Sequence, residues 1–108
     1  MQRGEVWWAY LPRPAGRRPV LILTRDDAVN QRSLLTVAPV TSTVRGIRSE
    51  VVLDERDNMT MRCAVNTDIM TTIPVISLDE RITLLSDERM AEVKAAVIFA
   101  LELEQPTS

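Results

Sequence analysis

GRRPVLIL, residues 16–23, decides how the chain is built. Two arginines and a proline run straight into four large apolar residues. Pro19 can open a strand without losing a ladder bond. VLILT, 20–24, then reads as a short, continuous apolar strand covered on both faces. Arg17 and Arg18 stand just before it, two cations at the mouth of a buried element.

Reading outward, EVWWAYL (5–11) is an aromatic-rich strand, and Pro12 to Gly16 is a turn. Trp7 and Trp8 are adjacent, so they point to opposite faces, one to the core and the other to an interface in preference to a stacked base. Asp26 to Arg32 holds a short helical turn. LLTVAPV (34–40) is a second buried strand, and TSTVRGIRS (41–49) a cationic loop closed by Gly46. EVVLD (50–54) is a strand, Glu55 to Asn58 a charged turn, and MRCAVNTDIM (61–70) a strand pair or one bent strand. Ile73–Ile76 and Ile82–Leu85 are shorter strand-like pieces.

The period then changes. Ser86 is a good N-cap, and Asp87 and Glu88 suit the positive end of a helix dipole. Met90, Val93, Val97, Ala100 and Leu101 recur at helical spacing over about 16 residues. AAVIFALEL is apolar nearly all round, so this helix needs cover on more than one side, from the sheet or from a second copy. QPTS reads as a frayed tail. No crossover helices separate the strands, which excludes a doubly wound fold. The expectation is one domain, 1–108, mostly β with α: a small, curved antiparallel sheet or barrel capped by a C-terminal helix.

Composition narrows the chemistry. The chain has 108 residues and no histidine. A Ser-His-Asp triad, a Cys-His pair and any imidazole acid or base are therefore excluded. The single cysteine, Cys63, makes a zinc site improbable; in a strand it reads as a buried small hydrophobe. No metal or cofactor is expected. No apolar run approaches the roughly 18 residues of a membrane span. MQRGEVWW has no signal-peptide pattern, and the expected compartment is the reducing cytoplasm. Residues 1–48 hold eight basic and three acidic groups against a net −2 for the chain, and twelve of the thirteen cations are arginine. A cationic front half allows a local anion-binding face, with forked guanidinium contacts.

Three polar clusters adjoin apolar strands: Arg17-Arg18, Thr41-Ser42-Thr43 followed by Arg45 and Arg48, and Asn66-Thr67-Asp68. Each alone also reads as solvated charge or turn chemistry. If 20–24 and 34–40 are antiparallel neighbours, however, Arg17 and Arg18 face Thr41 and Ser42. Guanidinium beside hydroxyl holds a phosphate. RNA can be cut there without histidine or metal, because its own 2′-hydroxyl is the nucleophile. The protein then owes a cation for the developing charge, a proton acceptor and a groove for a single strand.

The order and spacing of RGEVWWAYL (3–11), GRRPVLILT (16–24), VAPVTSTVRG (37–46), EVVLD (50–54), AVNTDIMTTI (64–73) and the terminal helix resemble the MazF/PemK toxin endoribonucleases over nearly the whole chain. The resemblance implies an SH3-like (CcdB/PemK-type) barrel acting as a homodimer. It implies a metal-independent toxin that cuts single-stranded mRNA to 2′,3′-cyclic phosphate and 5′-hydroxyl ends, inhibiting translation and growth. A MazE-like antitoxin is the implied partner. The family's arginine before RPVL's proline falls on Arg18, and its hydroxyl after P-x falls on Thr41. Arg18 would stabilise the phosphate and serve in proton transfer; Thr41 would position it. Arg13, Arg17, Ser42, Thr43, Arg45, Asn66 and Asp68 are the RNA-binding candidates. Two departures stand out. The loop is shortened to PRPAG, with Arg13 or Pro14 where a glutamate often sits. DIMTT (68–72) has Ile69 and Thr71 where many members have glutamine and arginine, so base recognition is expected to differ. A noncatalytic CcdB-like gyrase poison and a plain SH3-like interaction module are the alternatives; neither needs an Arg18–Thr41 pair.

Overall fold

The computed structural model describes residues 1–104; the tail read as frayed lies outside them. Seven strands and a terminal helix are ordered β1 (Glu5–Leu11), β2 (Gly16–Ile22), α1 (Asp26–Val29), β3 (Leu34–Thr41), β4 (Glu50–Leu53), β5 (Cys63–Asn66), β6 (Thr71–Pro74), β7 (Leu78–Leu84) and α2 (Asp87–Ala100). Single 3-10 turns follow β4, β5 and β6.

The strands pair antiparallel in the order β4-β5-β3-β2-β1-β7, with β6 added on β3. The expected mostly-β architecture with a C-terminal helix is present, but the sheet is not closed into a barrel. Among the described residues β4 and β7 end the path without pairing with each other. Between them runs the turn after β4, joined to β7 by a side-chain bond from Asn58 Nδ2 to Thr83 Oγ1 at 3.3 Å.

β2 begins earlier than its apolar run. Gly16, at φ +66°, takes the left-handed backbone that ends the turn. Arg17 and Arg18 then pair with Tyr10 and Ala9 of β1, so both arginines lie within the strand rather than ahead of it. Against β3 the pairing is shorter: Val20↔Pro39, Leu21↔Ala38 and Ile22↔Val37. Neither Pro19 nor Pro39 has an N–H to extend it. Beyond that point β3 pairs with β5, at Val40↔Val65 and Thr41↔Ala64.

Alternation along β2 splits the core. Leu21 joins Val6, Leu53, Val65 and Val93 of α2 in one buried cluster. Val20 and Ile22 join Leu35, Val37 and Val29 of α1 in another. Both faces of β2 are covered, as its unbroken apolar run implied. Cys63 is buried in the first cluster.

The 61–70 stretch is strand only over Cys63–Asn66. There the Asn66 side chain accepts from the Asp68 N–H and starts a 3-10 turn, which ends the extended backbone. Ser86 caps α2, accepting from the Arg89 N–H at 3.2 Å. Arg89 reaches back to Asp57 at 2.9 Å and ties the helix to the turn after β4. α2 has 14 residues, of which Val93 and Ala96 are buried. Phe99, Leu101 and Leu103 remain exposed, so the sheet of one chain does not supply the wide cover that the sequence called for.

Candidate nucleic-acid cleavage site

A cavity of about 330 Å³ opens where β2 and β3 stop pairing. Arg17, Arg18 and Pro19 line it from β2, and Val40, Thr41 and Ser42 from the end of β3. That is the meeting expected from the antiparallel reading of 20–24 and 34–40. Trp8 of β1 and Met59, Thr60 and Met61 from the segment before β5 complete much of the wall. A roomier cavity, about 500 Å³ between Tyr10, Leu11 and β6, has no cation in its lining.

The two arginines differ. Arg17 donates Nε and Nη2 to Asp79 at 3.2 and 2.8 Å, and its guanidinium stacks 4.3 Å from the Trp8 ring centre. The bonds to Asp79 push its pKa further up. Arg18 donates Nε to the Ala15 carbonyl at 2.9 Å and pairs with no carboxylate among the described residues. Its chain neighbours fix it: β1 on one side, Pro19 on the other. Arg18 is therefore a held cation whose charge is not already spent on an acid.

Thr41 Oγ1 accepts from the Thr43 N–H at 3.1 Å, a hydroxyl-to-backbone turn. Its own O–H remains a donor for a ligand. Ser42 is exposed at the same lip. Among the described residues no carboxylate lines this cavity. Among the described residues no group of three Cys, Asp or Glu side chains forms a candidate metal site.

The other candidates lie elsewhere. Arg13 is exposed in the turn before β2. Thr43 serves the Thr41 turn. Arg45 donates Nε to Glu50 at 2.9 Å, and the N–H groups of Arg45 and Gly46 bond the same carboxylate, whose side chain is fully buried. Burial pushes the Glu50 carboxyl up, but those donors outweigh it and hold it below its ordinary 4.5. Asn66 is buried as the cap already described, and Asp68 accepts from Ser49 Oγ at 2.6 Å. The structure does not bring Asn66, Asp68 or Arg45 to the Arg18 cavity.

Sequence reasoning missed the Met59–Met61 wall. Its one signal was two methionines bracketing a threonine in an otherwise polar stretch. Of the adjacent tryptophans, Trp8 lies at the cavity. Trp7 packs with the second core cluster and donates Nε1 to the buried Glu5 at 3.0 Å.

Residues 2–101 match the family described as PemK-like, MazF-like toxin of type II toxin-antitoxin system. A Mycobacterium tuberculosis protein named "Probable endoribonuclease MazF5" is 42% identical over 101 residues, 93% of this chain and 92% of that one. The solved structure titled "Mycobacterium tuberculosis toxin MazF-mt6" superposes with a TM-score of 0.86 at 34% identity, covering 94% and 99% of the two chains. A mycobacterial endoribonuclease solved with its cognate antitoxin shares the fold at TM-score 0.86 and 24% identity, over 98% and 99%. The chain belongs to the PemK-like, MazF-like toxins of type II toxin-antitoxin systems.

Proposed function

We propose that this chain, acting as a single domain over 1–108, is a sequence-specific endoribonuclease toxin that cuts single-stranded RNA without a metal. The observation that supports it is Arg18 and Thr41 lining one cleft, with no acid paired to Arg18 among the described residues. The substrate's 2′-hydroxyl attacks the adjacent phosphorus, and the bond to the 5′-oxygen breaks. A 2′,3′-cyclic phosphate and a 5′-hydroxyl result. Arg18 stabilises the charge gathering on the nonbridging oxygens, and the Thr41 hydroxyl orients the phosphate. With no carboxylate or imidazole in the lining, the 2′-hydroxyl proton leaves to water or to a nonbridging oxygen, and the 5′-oxygen takes a proton from solvent.

Arg17 and Ser42 sit beside the reacting phosphate. Arg13, Thr43, Arg45, Asn66 and Asp68 serve RNA further along the strand, Asn66 through its bond to Asp68. The partner is a MazE-like antitoxin whose acidic segment occupies the same cationic cleft, and the place of action is the cytoplasm. Among the described residues no helix is long and apolar enough to cross a membrane. The exposed Phe99, Leu101 and Leu103 support assembly as a homodimer. The DNA-gyrase alternative is not favoured, since such a poison has no need of the paired Arg18 and Thr41.

Incubation of purified protein with a long single-stranded RNA in EDTA tests the activity. Discrete cuts bearing cyclic phosphate ends are expected. Intact RNA across varied sequences, with inhibition of gyrase instead, would sink the reading. Light scattering at micromolar concentration tests the dimer, and a monomer there counts against it.

A further inference from the structure

We infer that the apolar half of this cavity is a base-stacking slot for a nucleotide flanking the scissile phosphate, with Trp8 and Met61 as its specificity-determining walls; this rests on the RNA-cleaving reading above. The cavity has two chemical halves. Arg18, Thr41 and Ser42 meet a phosphate; Trp8, Met59, Met61 and Ile82 meet something apolar. About 330 Å³ lies within the range of roughly 300–1,000 Å³ typical of small-ligand clefts. On a nucleic acid bound by its phosphate, the flat apolar group that reaches such a wall is the neighbouring base.

The wall is built for this. Trp8 is pinned by the stacked Arg17, and Arg17 by its forked bond to Asp79, so the indole is held in one orientation. Met59 is buried beneath the segment, whereas Met61 is 62% exposed at the rim. An apolar side chain so open gains little in the free protein, and a base laid against it covers it. Thioethers adapt to flat aromatic partners and favour contact with them. The cavity lies where the β2–β3 pairing ends, and Arg18 lines it there.

The test uses the full chain and a short RNA carrying its mapped cut site, with a single abasic nucleotide placed immediately 5′ or 3′ of the cleaved bond. Wild type is expected to lose about 10- to 100-fold in kcat/KM with one of the two abasic substrates, mostly through KM. Trp8→Ala and Met61→Ala should lose a similar factor on intact RNA and little more on that abasic one. Trp8→Phe should recover most of the loss. Met61→Ala guards against misfolding, because its side chain is largely in solvent. Equal abasic penalties in wild type and both variants overturn the slot while leaving the ribonuclease reading intact. Variants that lose only antitoxin affinity also overturn it, in favour of a protein side chain as occupant. Failure of wild type to cut the intact RNA in EDTA overturns both.

Discussion

The Arg17 guanidinium lies 4.3 Å above the Trp8 ring and is held there by two bonds to Asp79. Its neighbour Arg18 has, among the described residues, only a backbone carbonyl as partner. One step along a strand thus separates a structural cation from a chemical one. Arg18→Ala should lower kcat by about 100- to 1,000-fold, the usual loss when a donor to a developing oxyanion is removed. The thermal midpoint should hardly move, because the side chain is exposed. Arg18→Lys should recover little, since a point charge does not reproduce the fork. Arg17→Ala should cost about tenfold or less and act mainly on KM. Single-turnover and steady-state rates on one RNA separate the two; an equal loss in kcat would show the roles misassigned.

Thr41 has two duties that a pair of substitutions separates. Thr41→Ser keeps the hydroxyl, so cleavage and stability should stay near wild type. Thr41→Val removes it. The bond from the Thr43 N–H is then lost, at about 1 kcal/mol, and cleavage should fall by at least about tenfold. Denaturant melts alongside initial rates measure both.

Cys63 sits under the cavity but should not react. Burial pushes its thiol up, and its Sγ contacts the Leu53 carbonyl at 3.9 Å. The thiolate is the reactive form. A thiol-specific chromogenic reagent at neutral pH should therefore report almost no labelling in the native protein and one thiol in urea. Rapid native labelling that abolishes cleavage would instead make Cys63 part of the open site.

Acid should weaken the fold through two carboxylates. Bonds from the Arg56 side chain and N–H hold Asp54 down at about 2 against an ordinary 3.8, and Glu50 is held below 4.5. Groups lowered by folding add stability that is complete above their unfolded values and fades as pH falls toward the folded ones. The thermal midpoint should be flat above about pH 5 and drop steadily below about pH 4. Glu50→Gln should lower the midpoint at pH 7 and flatten part of the acid slope. A midpoint that rises on acidification would contradict the assignment.

Local signals were legible in the sequence where the chain itself determines the outcome. The apolar run after Pro19, the Ser86 cap and the change of period at the last helix needed no partner to be read. The Arg18–Thr41 meeting was legible too, because antiparallel neighbours bring the start of one strand to the end of the next. What depends on a partner was not. β2 extends back to Gly16 because β1 pairs with it, and nothing in GRR alone says so. MRCAVNTDIM has strand composition at both ends, yet Asn66 spends its side chain on the Asp68 N–H and turns the backbone. Closure of a barrel is a matter of how two distant strand edges meet, and here β7 is met through Thr83 by Asn58 of the turn after β4 rather than by β4 itself. The methionine wall is a wall only in the folded chain, where Met59 and Met61 line one cavity with Trp8 of β1 and Arg18 of β2.

β3 stops pairing with β2 at Pro39 and pairs with β5 at Val40 and Thr41, so Arg18 and Thr41 lie where the β2–β3 ladder runs out. Where the reacting pair meets is therefore set by the point at which that ladder ends, not by either side chain. Repacking beneath Ala38 or Val40, both buried in the first cluster, would shift that point. The potency of the toxin could then be graded across descendants of one gene while every residue that touches RNA stays the same.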